Sequence, residues 1–169
     1  MTKQKKPNFI IIGAMKAATT SLYTYLKQHP DVFMTTIKEP KFFNNLHVTS
    51  DKKMEGKRFN KITSFKQYYS LFKNVENENL IGEASPSYIF DDKCAELIKK
   101  NLPETKIIAI LRQPVARAYS NFLHAKRSGN EKIDDFEIAF KEKENNSINK
   151  KNITLNRWKG VIIYFQKKI

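Results

Sequence analysis

Two short, β-branched apolar runs constrain this chain more than any other feature, because each hands on directly to a segment of helical character. The first is Phe9-Ile10-Ile11-Ile12, bounded by Pro7 and Gly13; the second is Lys106-Ile107-Ile108-Ala109-Ile110-Leu111. Apolar runs without polar alternation read as strands buried on both faces, the environment of a parallel sheet. After the first run, Thr19 to Leu26 opens a helix, with Thr19 or Thr20 as its cap and Leu22, Tyr25 and Leu26 on one face. His29-Pro30-Asp31 ends it, since proline disfavours helix in the residue before it. After the second run, Pro114 to Lys126 reads as a helix with proline accommodated in its first turn.

Between these units, Phe65, Tyr68, Tyr69 and Phe72 have the spacing of an amphipathic helix, an aromatic stripe that suits a core. Leu80-Ile81-Gly82-Glu83 is a short strand followed by a Ser85-Pro86-Ser87 turn, and Asp92 to Asn101 is a helix with Cys94, Leu97 and Ile98 inward. Asn44 to Lys61 is polar and aperiodic, an exposed insertion, and residues 141–152 are polar enough for a linker or loop. Strands alternating with helices over 169 residues predict one α/β domain, 1–169, with a central parallel sheet.

Charge and cysteine content narrow the function. A net charge of +14, from 31 Lys+Arg against 17 Asp+Glu, favours an anionic partner without choosing one, and a lysine- and asparagine-rich composition accounts for part of it. Cys94 is the single cysteine, which excludes an intrachain disulfide and a thiolate cluster; His29, His47 and His124 have no metal-ligand spacing, so no metal is expected. The apolar run after the basic N-terminus is too short for a signal peptide or a membrane span, which needs about 20 apolar residues. A soluble, cytoplasmic protein is the expectation. No helix-turn-helix, zinc or aromatic RNA-binding signature supports a nucleic-acid partner.

Two segments carry chemistry. Gly13-Ala14-Met15-Lys16-Ala17-Ala18-Thr19-Thr20-Ser21 joins a strand to a helix. Small residues let backbone N–H groups approach an anion, the helix N-terminus adds unpaired donors and a positive dipole end, and Lys16 and the hydroxyls complete a phosphate cradle. It is not a Walker loop, because the lysine precedes Thr-Thr-Ser and no second glycine follows, and taken alone it reads equally as a small-residue turn with an exposed lysine. In the second segment, Arg112 stands at the C-terminal end of a strand, where open parallel sheets bind ligands, and its planar fork suits phosphate. Ser120, eight residues on, is about two helical turns away and points roughly the same way, although taken alone the pair reads better as a solvated arginine and a surface serine.

With Lys38-Glu39-Pro40-Lys41-Phe42-Phe43 and Gly82-Glu83-Ala84-Ser85-Pro86-Ser87-Tyr88 between them, these segments resemble the nucleotide-dependent sulfotransferases, especially the branch acting on carbohydrates. The resemblance spans Ile10 to about Ala125. It implies a P-loop-NTPase-like three-layer α/β/α fold. It also implies transfer of a sulfuryl group from 3′-phosphoadenosine 5′-phosphosulfate, without a metal, to a hydroxyl or amine, with a saccharide first among acceptors. Lys16 is implied to stabilise charge on the bridging oxygen. Gly13, Ala14, Ala17 and Ala18 supply the loop that, with Thr19, Thr20 and Ser21, binds the 5′-phosphate; Arg112 and Ser120 bind the 3′-phosphate. Glu39 is the implied general base, set against a salt-bridge role between Lys38 and Lys41. Glu83 either serves as a second carboxylate or orients Lys16 or the substrate; Ser85 and Tyr88 line the acceptor pocket or fill turn and core roles. His124 stays open as a lone helix-surface histidine.

Some positions depart from the family. Ala18 replaces a glycine common in it, tolerable if φ stays negative. Lys41 and Asn44 stand where some carbohydrate-acting members have histidine and aspartate, which bears on the acceptor. Leu155 to Ile169 resembles only the start of the family's C-terminal region, so a truncated chain, and with it an inactive relative, is one expectation. A kinase-like, ATP-dependent phosphotransferase on the same plan is the other alternative.

Overall fold

The computed structural model describes residues 5–46 and 62–149. Most of the expected insertion (positions 47–61, with His47), the last three positions of the expected 141–152 linker and the tail from Leu155 lie outside the described residues. The chain divides into two compact units, Met1–Leu111 and Arg112–Ile169.

The first unit is built on a parallel sheet of β1 (Phe9–Gly13), β2 (Val32–Met34), β3 (Leu80–Ala84) and β4 (Lys106–Ala109), in the order β2-β3-β1-β4. Its helices are α1 (Thr19–Lys27), α2 (Phe42–Leu46), α3 (Phe65–Ser70) and α4 (Asp92–Asn101), with a short 3₁₀ turn at Tyr88–Phe90. The second unit contains α5 (Pro114–Arg127) and α6 (Phe136–Asn149).

Both faces of the sheet are covered, and the alternation of β1 explains how. Ile10 packs among Phe42, Phe43, Tyr68, Phe72 and Ile98, whereas Phe9 and Ile11 pack with Tyr23, Val32 and Met34. Side chains on a strand alternate between faces, so an unbroken apolar run serves two cores at once. The aromatic stripe behaves as core: Phe42 and Tyr68 are fully buried and stacked with ring centroids 4.4 Å apart. Ser64 begins α3 with a capping box, its hydroxyl accepting from the Gln67 N–H.

Several expectations are corrected. Neither Thr19 nor Thr20 caps α1; Ala18 holds the cap position in a left-handed conformation with no side-chain bond. Leu22 and Leu26 of α1 pack against the core as expected, but its buried positions are Thr19 and Tyr23, and Tyr25 is 69% exposed. Tyr23 wins the inward place because its hydroxyl donates to the Thr35 carbonyl at 2.6 Å, giving a buried ring a partner for its polar end. The run at 106–111 is strand only over Lys106–Ala109, which among the described residues pairs with β1 alone, and Ile107 and Leu111 are exposed. Asn44 and its neighbours to Leu46 lie in α2 and so are not loop, and α6 continues to Asn149, so the polar stretch from Lys141 is helical that far. With three residues, β2 is too short to show a periodic pattern in the sequence.

Gly82 is required by close approach. A Cβ there would meet the Phe9 ring, its register partner across β1 and β3, at 2.1 Å. Overpacking of this kind costs about 1–3 kcal/mol. Gly82→Val is expected to lower unfolding stability by that amount in urea titration, and an unchanged midpoint would refute the packing account.

Candidate active site

The parallel register sends the C-terminal ends of β1 and β3 to the same edge of the sheet, where Gly13 and Ala84 end their strands. Beyond β1 lies the loop to α1. Its base is fixed by exchanged backbone bonds: the Ile110 N–H donates to the Gly13 carbonyl and the Ala14 N–H to the Ile110 carbonyl, both at 2.8 Å. Gly13 is needed here, because a Cβ would lie 2.6 Å from the Ile89 methyl. Ala14 and Ala17 are buried and Lys16 is half-buried. The first helical bond of α1 runs from the Leu22 N–H to the Ala18 carbonyl. The N–H groups of Thr19, Thr20 and Ser21 therefore have no acceptor within the helix, which is what an anion site at a helix start requires.

The segment after β2 comes to the same edge. The Glu39 N–H donates to the Ala84 carbonyl at 3.1 Å, and Lys38 Nζ donates to Thr20 Oγ1 at 2.6 Å, joining this segment to the first turn of α1. The Glu39 carboxylate lies 3.3 Å from the Lys41 ammonium and 3.9 Å from that of Lys38. Both charge contacts expected of Glu39 are thus present, at a carboxylate only partly covered from solvent.

Among the described residues, the non-glycine positions with positive φ are Lys16 (64°), Ala18 (64°), Glu39 (56°) and Lys41 (52°). The expectation that Ala18 keeps a negative φ is corrected. Left-handed backbone at such residues costs roughly 1–3 kcal/mol each, persists only where the surroundings over-determine it, and concentrates at functional sites. Here it falls on the two segments that carry Lys16 and Glu39.

Behind them sits Glu83, fully buried on β3. Its carboxylate accepts from the hydroxyls of Ser85 (2.8 Å), Tyr88 (2.9 Å) and Tyr68 (3.1 Å). Ser85 is also fully buried and Tyr88 nearly so. None of these three expected substrate residues is open to solvent, which favours the orienting and core roles weighed for them over direct lining of a pocket. Burial raises the Glu83 carboxyl from 4.5 to about 7, against the opposing effect of its hydrogen bonds. Burial, then the Glu83 charge, pushes Tyr68 and Tyr88 upward, so both hydroxyls stay protonated and able to donate. Sequence reasoning missed Tyr68, whose place in an aromatic stripe hid its hydroxyl, and Lys38, which it treated only as a neighbour of Glu39.

The raised Glu83 value has a thermodynamic consequence. Between pH 4.5 and about 7 the folded chain retains a proton that the unfolded chain has lost, so stability falls as pH rises through that window. A rise from 4.5 to about 7, at about 1.4 kcal/mol per pH unit, amounts to ~3 kcal/mol. Urea unfolding of the parent minus that of Glu83→Gln is expected to decline by about this amount across the window; a flat difference would refute it.

In the second unit, Arg112 lies in the non-helical link before α5 and Ser120 lies within α5. Their shared direction therefore does not follow from helical spacing, since Arg112 is not on the helix. Gln113 caps α5 by accepting from the Ala116 N–H at 2.6 Å, with Pro114 at the first helical position. His124 is exposed in the last turn of α5. Among the described residues no group of His, Cys, Asp or Glu side chains forms a candidate metal site, and no helix is long and apolar enough to cross a membrane.

A parallel sheet whose inner strand feeds a loop of small residues and a helix defines an α/β protein of the P-loop type. Within that class the chain belongs to the Sulfotransferase family, whose model matches residues 7–159. It is 35% identical over 116 residues to the membrane-associated sulfotransferase kil1 of Dictyostelium discoideum, covering 69% of this chain and 22% of that protein. It is 30% identical over 165 residues to carbohydrate sulfotransferase 15 of Mus musculus, covering 77% and 29%. The crystal structure of a sulfotransferase from Alicyclobacillus acidocaldarius superposes with a TM-score of 0.73 at 32% identity, covering 91% of this chain and 62% of that one. The chain thus spans less than a third of the length of these two curated relatives.

Proposed function

We propose that this chain transfers a sulfuryl group from 3′-phosphoadenosine 5′-phosphosulfate to an acceptor hydroxyl or amine, with a saccharide as the acceptor class. One observation carries the reading: Lys16 and Glu39 lie on two left-handed loops at one edge of the sheet, tied together by the bond from Lys38 to Thr20. Such a pair suits in-line displacement at sulfur. The acceptor oxygen or nitrogen forms a bond to sulfur while the bond from sulfur to the bridging phosphate oxygen breaks. The electron pair passes to that oxygen, where the Lys16 ammonium stabilises it. Glu39 takes the acceptor's proton. Positioning and charge stabilisation supply most of the acceleration in chemistry of this kind.

The 5′-phosphate is assigned to the Gly13–Ala18 loop with Thr19, Thr20 and Ser21, and the 3′-phosphate to Arg112 and Ser120. Relatives named for carbohydrate and for heparan sulfate support the saccharide. Titration with adenosine 3′,5′-bisphosphate and with ATP tests the reading. Tighter binding of the bisphosphate is expected; preference for ATP would replace it with a phosphotransferase.

A further inference from the structure

We infer that Glu83 is a positioning residue for Glu39, acting through the hydroxyls of Ser85 and Tyr88 on the backbone that carries the base. This rests on the reading of Glu39 given above, but the contacts themselves do not. The Lys41 N–H donates to Ser85 Oγ at 3.0 Å, and the Phe43 N–H donates to the Tyr88 hydroxyl at 3.3 Å. Each of those hydroxyls in turn donates its proton to Glu83. A hydroxyl whose proton is committed to a carboxylate presents its lone pairs elsewhere, here to the two amides. Glu83 thereby sets the direction of both acceptors.

The loop needs such fastening. Glu39 and Lys41 are both left-handed on either side of Pro40, and neither is a glycine. Three backbone donors hold the segment, from Glu39 to Ala84 and from Lys41 and Phe43 to the hydroxyl pair. Two of the three end on the Glu83 cluster. Tyr68 closes that cluster from α3, giving the carboxylate a third donor. Further polar fastening of α2 comes through Asn44, which bonds Asp91 and Ser87.

Glu83→Gln keeps the volume but places an N–H₂ donor where the cluster requires an acceptor, and Tyr88→Phe removes the Phe43 acceptor together with one of the three donors to Glu83. In both, amide hydrogen exchange at Phe43 is expected to accelerate at least about tenfold while the β1 amides keep their protection. The transfer kcat is expected to fall about tenfold with the Kd for adenosine 3′,5′-bisphosphate within about twofold of the parent's. Unchanged exchange at Phe43, or acceleration spread equally over β1, would overturn the inference, the latter by showing general loosening. If Glu83→Gln does not fold, Tyr88→Phe decides by the same measurements. Selective exchange in a parent that transfers no sulfate would uphold the positioning and sink the sulfotransferase reading instead.

Discussion

Lys16→Ala is expected to lower sulfuryl transfer by roughly 10²- to 10³-fold, the cost of removing one preorganised charge aimed at an oxygen that becomes negative only as the bond breaks. Lys16 stands in a loop whose base is locked by the Ile110 exchange with Gly13 and Ala14, which holds its backbone in place. Alanine retains the unfavourable φ of 64° at position 16, so the backbone is altered little and stability is expected to stay near the parent's. A radiolabelled sulfate-transfer assay against mixed saccharide acceptors measures the loss. Equal rates in parent and variant would remove Lys16 from the chemistry.

Glu39→Gln is expected to lower transfer by about 10²- to 10⁴-fold, the range supplied by a positioned general base. Glutamine preserves the length of the side chain and leaves the Glu39 N–H bond to Ala84 intact, but it cannot take a proton from the acceptor. The affinity for adenosine 3′,5′-bisphosphate is expected to be unchanged, because in the proposed reaction Glu39 acts on the acceptor and not on the nucleotide. That separates it from Lys16→Ala, where nucleotide binding is expected to weaken as well. If Glu39→Gln retained full kcat, the carboxylate would be only the ion-pair partner of Lys38 and Lys41.

The parallel α/β plan was legible because burial on both faces demands an unbroken apolar run, and Phe9 to Ile12 is one. The strand–loop–helix order after it was legible for a related reason: Gly13 closes the apolar run and Thr19 to Leu26 has helical character. The order of the strands was not legible. Lys106 to Ala109 reads the same whether it has one neighbour or two, and strand order is decided by pairing across the chain. Nor was the cap of α1, where two threonines were available and a left-handed Ala18 holds the place.

By itself, the order of residues determined most of the elements and the family resemblance, since these depend on local periodicity and on spacing along the chain. Only the tertiary structure decided that Glu83 is closed off among three hydroxyls and that Lys16 and Glu39 ride on left-handed backbone. Both outcomes depend on partners far apart in the chain, as with Tyr68 and Glu83 or Lys41 and Ser85. Strain of that kind persists only once such distant contacts are made, so no local pattern records it.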